Sequence, residues 1–281
     1  MDENDLLSIK EFSEYTGIKQ STLRYYDEIG LFSPVARGEN DYRYYAPRQI
    51  VTVNLINVLS GLNVPLKQIS DMERNRTPER ILSLLTQQEN RLDADLRRLQ
   101  HSYSVIHTLR AMIQSGLSAD ENKIAVFFME EIPITMGPLN TYEQDESFYE
   151  VFLRFCAYAR GMRVNLSYPI GEYYKDMDAF QQAPSQPAHF FSVDPEGSSL
   201  KNAGRCLVGY TRCYYGQTGG LPERMTAYAK THSLVFNGPV YSLHLHDEIS
   251  VRDPEQYLLQ ISAPVSELIH PGSNNRSKRK N

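Results

Sequence analysis

Ser8-Ile9-Lys10-Glu11-Phe12-Ser13-Glu14-Tyr15-Thr16-Gly17 is followed, after Ile18-Lys19, by Gln20-Ser21-Thr22-Leu23-Arg24-Tyr25-Tyr26-Asp27-Glu28-Ile29-Gly30. Ser8 and Glu11 have the spacing of a capping box, in which a serine hydroxyl and a glutamate carboxylate each satisfy an amide at a helix start. The helix they open turns Ile9 and Phe12 inward and is stopped by Thr16-Gly17. A second helix, roughly Gln20 to Ile29, begins almost at once. Two short helices joined by a tight glycine-containing turn predict a helix-turn-helix. On the second helix Leu23 and Tyr26 are three apart and face the core, while Ser21, Arg24, Tyr25 and Glu28 share the other face. A guanidinium, a phenol and a hydroxyl on one face are groups that reach phosphates and base edges.

Reading outward, Gly30-Leu31-Phe32-Ser33-Pro34 closes the helix, and residues 38–45 read as a turn and a short strand, a wing-like hairpin. Helical period returns from Pro47 to Leu62 and in a short helix from Pro65 to Met72. Residues 78–115 then form the longest periodic segment of the chain. Ile81, Leu85, Gln88, Leu92, Leu96, Leu99, Tyr103, Ile106, Leu109 and Ile113 are spaced alternately by three and four, the seam of a coiled coil. Such a helix is about 55 Å long at 1.5 Å per residue, too long for one small head to cover. A partner chain is expected along it.

Beyond Gly116 the pattern changes to strands, expected at 123–136, 164–174, 188–193, 204–215, 239–247 and 256–264, with helices at about 146–161 and 221–235. Ala157-Tyr158-Ala159-Arg160 recurs as Ala227-Tyr228-Ala229-Lys230, each near the end of a helix flanked by strands. The order strand–helix–strand–strand thus occurs twice, which predicts a duplicated unit with a curved sheet. The fold class is α+β. The expected domains are a winged helix-turn-helix DNA-binding domain at 1–76, a coiled-coil dimerisation helix at 77–118, an effector-binding domain at 119–270 and a disordered basic tail at 271–281.

Composition narrows the function. The net charge of −5 argues against a protein that coats nucleic acid nonspecifically, but leaves room for a local positive strip. Residues 1–119 hold 14 basic against 15 acidic groups and residues 120–270 hold 11 against 19, so the two parts suit different partners. No segment is apolar enough to span a bilayer and the N-terminus is acidic where a signal peptide is basic, so a cytoplasmic protein without membrane contact is expected. Cys156, Cys206 and Cys213 are too scattered for a disulfide framework and read as free, semi-buried thiols. His244 and His246, two apart on an expected strand, are weak evidence for a metal pair, and no cofactor or metal is expected. Twelve of the nineteen tyrosines lie between 142 and 257, where aromatic faces can wall a site for a lipophilic cation.

Thr16-Gly17, Thr22 to Asp27, Gly30-Leu31, Pro34, Arg37, Tyr42-Arg43-Tyr44-Tyr45 and Leu59-Ser60-Gly61 together resemble the head of MerR-family transcription activators, over residues 7–72. The whole chain is similar to the multidrug-sensing, BmrR-like branch of that family. Residues 120–268 resemble its GyrI-like effector domain in layout and in stretches such as Asn165-Leu166-Ser167-Tyr168 and Gly238-Pro239-Val240-Tyr241. The resemblance implies a homodimer with antiparallel dimer helices on a near-palindromic operator, and a lipophilic small molecule, cationic in kind, as effector. It also implies that effector binding distorts an over-spaced promoter so that RNA polymerase holoenzyme can use it.

Carried over by residue, Ser21, Thr22, Arg24, Tyr25 and Tyr26 belong to the DNA-reading helix, and Arg37, Tyr42, Arg43 and Tyr45 to the wing and its backbone contacts. Metal-sensing members need cysteines near the dimer helix and in a following loop, which residues 1–155 lack, and redox-sensing members need a clustered cysteine motif that three scattered cysteines cannot supply. For the effector site Tyr168, Glu172, Tyr210, Tyr241 and Ser242 are the candidates. Ser242 stands where the resemblance leads one to expect a buried acid, and Glu172 is the nearest substitute. The rival readings are a small-molecule hydrolase, in which Glu172 beside Tyr168 and Tyr173 activates water, and a protein-binding GyrI-like module fused to a DNA head.

Overall fold

The computed structural model describes residues 6–143, 146–162 and 166–268; the first five residues, Asn165 and the basic tail from residue 271 lie outside the described residues. The chain divides into two compact units, residues 1–96 and 97–281.

In the first unit, α1 (Ile9–Thr16) starts on the Ser8–Glu11 capping box: Ser8 Oγ accepts from the Glu11 amide, and the Glu11 carboxylate accepts from Ser8 N at 2.9 Å. Gly17 ends it at φ +69°, a left-handed conformation that L side chains adopt only with strain. Helix α2 (Gln20–Glu28) follows, then α3 (Gln49–Gly61) and α4 (Leu66–Arg74). A three-stranded antiparallel sheet of β1 (Leu7–Ser8), β2 (Ala36–Arg37) and β3 (Arg43–Tyr45), in the order β1-β3-β2, makes the wing. Ile9, Phe12, Leu23, Tyr26, Ile56 and Ile69 fill one core. Burying each such side chain contributes about 1.5–3 kcal/mol, which is what holds these short helices together.

Helix α5 runs from Pro78 to Leu117. Leu84 joins the head core. Along the expected seam, Leu85, Leu92, Leu96, Leu99, Tyr103 and Ile106 are all exposed. Gln88 is buried and Ile81 packs on the head.

In the second unit an antiparallel sheet has the order β4-β9-β12-β11-β6-β7-β5-β8, with β10 on the outer end of β12. Its strands are β4 (Ala125–Met129), β5 (Ile132–Met136), β6 (Ile170–Tyr174), β7 (His189–Ser192), β8 (Ser199–Lys201), β9 (Gly204–Arg212), β10 (Leu234–Phe236), β11 (Val240–His246) and β12 (Leu258–Glu267). Helices α6 (Phe148–Gly161), α7 (Met177–Gln182) and α8 (Leu221–Thr231) complete the unit. The duplication expected from sequence is visible in the topology. Strands β5, β6 and β7 with α6 repeat as β9, β11 and β12 with α8, and the two halves join where β6 pairs β11. Ala159 and Ala229, matching positions of the repeated tetrapeptides, are both buried.

Three expectations need correction, and two elements were not expected. Segment 123–136 is two strands, broken at the exposed Glu130-Glu131 and placed far apart in the sheet. Helix 221–235 ends at Thr231, because Ser233 takes a left-handed φ of +55° and the chain turns into β10. Strand 164–174 begins only at Ile170, after a turn at Leu166-Ser167 and Pro169. Helix α7, started by Asp176 accepting from the Ala179 amide, and strand β8 lack a hydrophobic period long enough to be read.

Candidate functional site

Two places carry chemistry. The first is the face of α2 with the wing beside it. Ser21, Arg24, Tyr25 and Glu28 are exposed on one side of α2 and Thr22 is half-buried next to them, while Leu23 and Tyr26 turn into the core. Tyr26 is therefore a core residue, as its spacing from Leu23 requires, and not part of the reading face. Arg37 and Tyr42 are exposed on the wing.

Tyr45 needs the same correction. It is fully buried, stacked on Phe12 at 4.5 Å and on Phe32 at 5.8 Å between ring centroids, so it packs the wing onto α1. Tyr45 and Arg43 lie on the same face of β3, which turns toward α1 and the end of α2, so Tyr45 enters the core while Arg43 reaches Asp27.

Asp27, at the end of α2, joins the helix to the wing. Its nearly buried carboxylate accepts from Arg37 Nη2 at 2.6 Å and from Arg43 Nε at 2.7 Å. Burial raises its pKa, but hydrogen bonds from Arg43, Ser33 and Arg37 outweigh this and hold it below the usual carboxylate range. The last turn of α2 is thus tied to both wing arginines. An acid at the end of a DNA-facing helix, opposite two arginines of the wing, was the signal available in the sequence.

The second place is a cleft of about 800 Å³, including its open mouth, in the second unit. Both repeat halves line it. From one half come Phe148 and Phe152 of α6, Tyr168, Glu172 and Phe190; from the other come Tyr215, His244, Asp247 and Glu248. Helix α6 aims its aromatics there because Phe148 and Phe152 are four apart, started by a second capping box of Ser147 and Glu150. Phe148 and Phe152 both meet Phe190 edge-on at 5.4 Å.

At the base of the cleft, β6 and β11 are in register at Glu172 and Ser242. Both side chains are buried, and the Ser242 hydroxyl donates to Glu172 Oε2. Burial pushes the Glu172 carboxyl up to about 7, with the Ser242 hydrogen bond opposing. A buried carboxyl thus lies directly across the ladder from Ser242.

Two of the expected effector residues lie elsewhere. Tyr241 precedes Ser242 on β11 and so faces the opposite side of the sheet, where its ring meets Tyr173 at 5.4 Å and Phe191 at 5.6 Å. Lys201 is buried over that ring, its Nζ 4.9 Å from the centroid and donating to Ser262 Oγ at 2.8 Å. Burial lowers the Lys201 pKa to about 8, against an opposing effect of Cys206. Tyr210 packs near Met112, Leu245 and Leu258, and its hydroxyl accepts from Gln260. The residues that sequence reasoning missed, Phe148, Phe152, Phe190, Tyr215, Asp247 and Glu248, come from a helix, a strand and loops that meet only in the fold.

His244 and His246 do not act as a pair. A register shift falls between them in β11. His246 donates from Nε2 to the Ile113 carbonyl of α5 at 3.1 Å. Gly116 makes room for this contact, since a Cβ at that position would lie 2.5 Å from the His246 ring and push it aside. Cys156, Cys206 and Cys213 are free thiols.

A helix-turn-helix with a wing, followed by a long helix and a second unit with an aromatic acidic cleft, defines a DNA-binding regulator. The head is a MerR-type helix-turn-helix: residues 7–76 match the model of the MerR HTH family regulatory protein. The multidrug-efflux transporter 2 regulator of Bacillus subtilis is 24% identical over 263 residues, covering 92% of this chain and 96% of its own. The multidrug-efflux transporter 1 regulator of the same organism is 34% identical over 157 residues, 52% of this chain and 55% of that one. Transcriptional regulator BrlR of Pseudomonas aeruginosa is 35% identical over 99 residues, 34% of this chain and 37% of that one. Among the described residues no helix is long and apolar enough to cross a membrane.

Proposed function

We propose that this chain is an effector-responsive transcription activator: a lipophilic cation enters the cleft of the second unit, and the resulting change makes a DNA-bound dimer distort its promoter for RNA polymerase holoenzyme. The observation that carries the reading is Glu172, a buried carboxyl at the base of an aromatic cleft, bonded to Ser242. Aromatic faces and a carboxylate both attract cations, and neither demands one particular shape. The names of the relatives, regulators of multidrug-efflux transporters, support the same ligand class.

The DNA face consists of Ser21, Thr22, Arg24 and Tyr25 on α2 with Arg37, Tyr42 and Arg43 on the wing, the last two arginines aimed by Asp27. The dimer forms along α5, where six exposed apolar seam residues call for a second chain. Coupling runs through β11. The strand carries Ser242 and His244 on the cleft side, while Leu245 packs with Met112 of α5 and His246 bonds to Ile113. Because both states stay on the promoter, the effector changes transcription far more than operator affinity.

Titration calorimetry with a tetraaryl cation and its uncharged isostere tests the proposal. The cation is expected to bind and the isostere not, and equal binding of both removes the electrostatic basis. If neither binds, the effector is of another class.

A further inference from the structure

The cleft's polar groups are nearly all accounted for among themselves. Glu172 receives the Ser242 hydroxyl, Glu248 receives the Tyr215 hydroxyl at 2.6 Å, and Asp247 receives the Ile249 amide at 3.0 Å. His244 is different. It is 5% exposed, lies in the cleft wall with its ring 4.5 Å from that of Tyr215, and its Nε2 has no hydrogen-bond partner among the described residues. A buried polar nitrogen left unmatched costs free energy, so its presence in a ligand cleft is a mark of what the ligand brings.

The direction of the missing bond follows from the other side of the ring. The Cys213 amide donates to the Tyr257 carbonyl, so the backbone bond of His244 goes to the Cys213 carbonyl, and with Nε2 unpartnered it falls to Nδ1. A carbonyl can only accept, so Nδ1 carries the proton. Burial keeps the ring neutral, pushing its pKa down to about 4. The second nitrogen of a neutral Nδ1–H imidazole is a bare lone pair, an acceptor that points away from Cys213. Only an N–H or O–H donor satisfies it.

Resting on the cation reading above, we infer that His244 Nε2 selects cations that carry an N–H bond: the effector is an aromatic protonated amine or amidine rather than an onium ion. A quaternary ammonium or a phosphonium offers charge to Glu172 and area to the aromatic walls but nothing to His244. An ammonium N–H offers all three. A hydrogen bond from a charged donor is worth about tenfold or more in affinity.

The test is calorimetry on the full chain with one diarylalkylamine, as its ammonium, and the same skeleton N-methylated to the quaternary salt. The wild-type chain is expected to bind the ammonium at least about tenfold more tightly. His244→Phe keeps a flat ring beside Tyr215 and removes the acceptor, so it should bind both cations with the affinity of the quaternary salt. A steric effect of the added methyl would instead persist in that variant. Equal binding of the two cations by the wild-type chain overturns the inference without needing any variant, and so does a preference that survives His244→Phe. Failure of both cations to bind the wild-type chain is a different result, since it removes the cation reading itself along with the inference.

Discussion

Replacing Glu172 by Gln separates the cost of the buried carboxyl from its use. In the folded chain burial raises this group to about 7 from an ordinary value of 4.5. A gap of that size corresponds to about 3 kcal/mol, at 1.36 kcal/mol per pKa unit. The sign follows from proton binding. Between pH 4.5 and 7 the folded state holds a proton that the unfolded chain has released. The group's favourable contribution is therefore complete below 4.5 and is lost as pH rises through 7. Glutamine keeps an oxygen to accept from Ser242 and has no charge to bury. Glu172→Gln should thus match the wild-type chain within about 1 kcal/mol at pH 4.5 and exceed it by about 2–3 kcal/mol at pH 8. Urea unfolding followed by tyrosine fluorescence across that range reads the difference, because most tyrosines lie in the second unit. Parallel stability curves for the two proteins would refute the reasoning, since they would mean that Glu172 ionises freely in the folded state.

Other consequences can be checked separately. Arg24→Ala and Arg43→Ala should each weaken binding to a duplex selected from a random library and lower its salt slope by about one unit, and unchanged affinity in both would remove these residues from the interface. Asp27→Ala should weaken the same binding by freeing Arg37 and Arg43 from their positions; tighter binding would show that Asp27 merely offsets their charge. Leu92→Asp with Leu99→Asp places charge in the seam and should yield monomer or aggregate in sedimentation, whereas a folded dimer would contradict the interface. Lys201→Met should stabilise the chain by about 1–3 kcal/mol at pH 7, because a buried lysine lowered to about 8 from 10.5 resists its own charge. That gain should shrink as pH rises from 8 through 10.5, where the folded wild-type chain has shed the proton and the unfolded chain still holds it; a constant gain would point to packing instead.

The head was legible because each of its elements is locally encoded: the Ser8–Glu11 box, Gly17, and the alternation of Leu23 and Tyr26 with Arg24 and Tyr25. The duplication of the second unit was legible from two matching tetrapeptides. The cleft was only partly so. Tyr168 and Glu172 line it as the sequence suggests, but Tyr241 and Ser242 are neighbours on one strand, whose two-residue period sends them to opposite faces. Register decides the rest. That Glu172 stands across from Ser242, and that Tyr215 comes to lie against His244, depends on pairings between strands and loops tens of residues apart. The role of Asp27 was hidden for the same reason, since Arg37 and Arg43 reach it only through the wing.

The central claim is that a cation binds against an ionised Glu172, and the proton count of binding tests it most directly. Calorimetric titration of one lipophilic cation in buffers of different ionisation enthalpy gives that count. If the free carboxyl titrates near 7, binding should release about half a proton per ligand at pH 7 and almost none at pH 9, and Glu172→Gln should release none at either. Binding with no proton release at pH 7, or release that persists in Glu172→Gln, would place the cation's charge partner elsewhere and contradict the account.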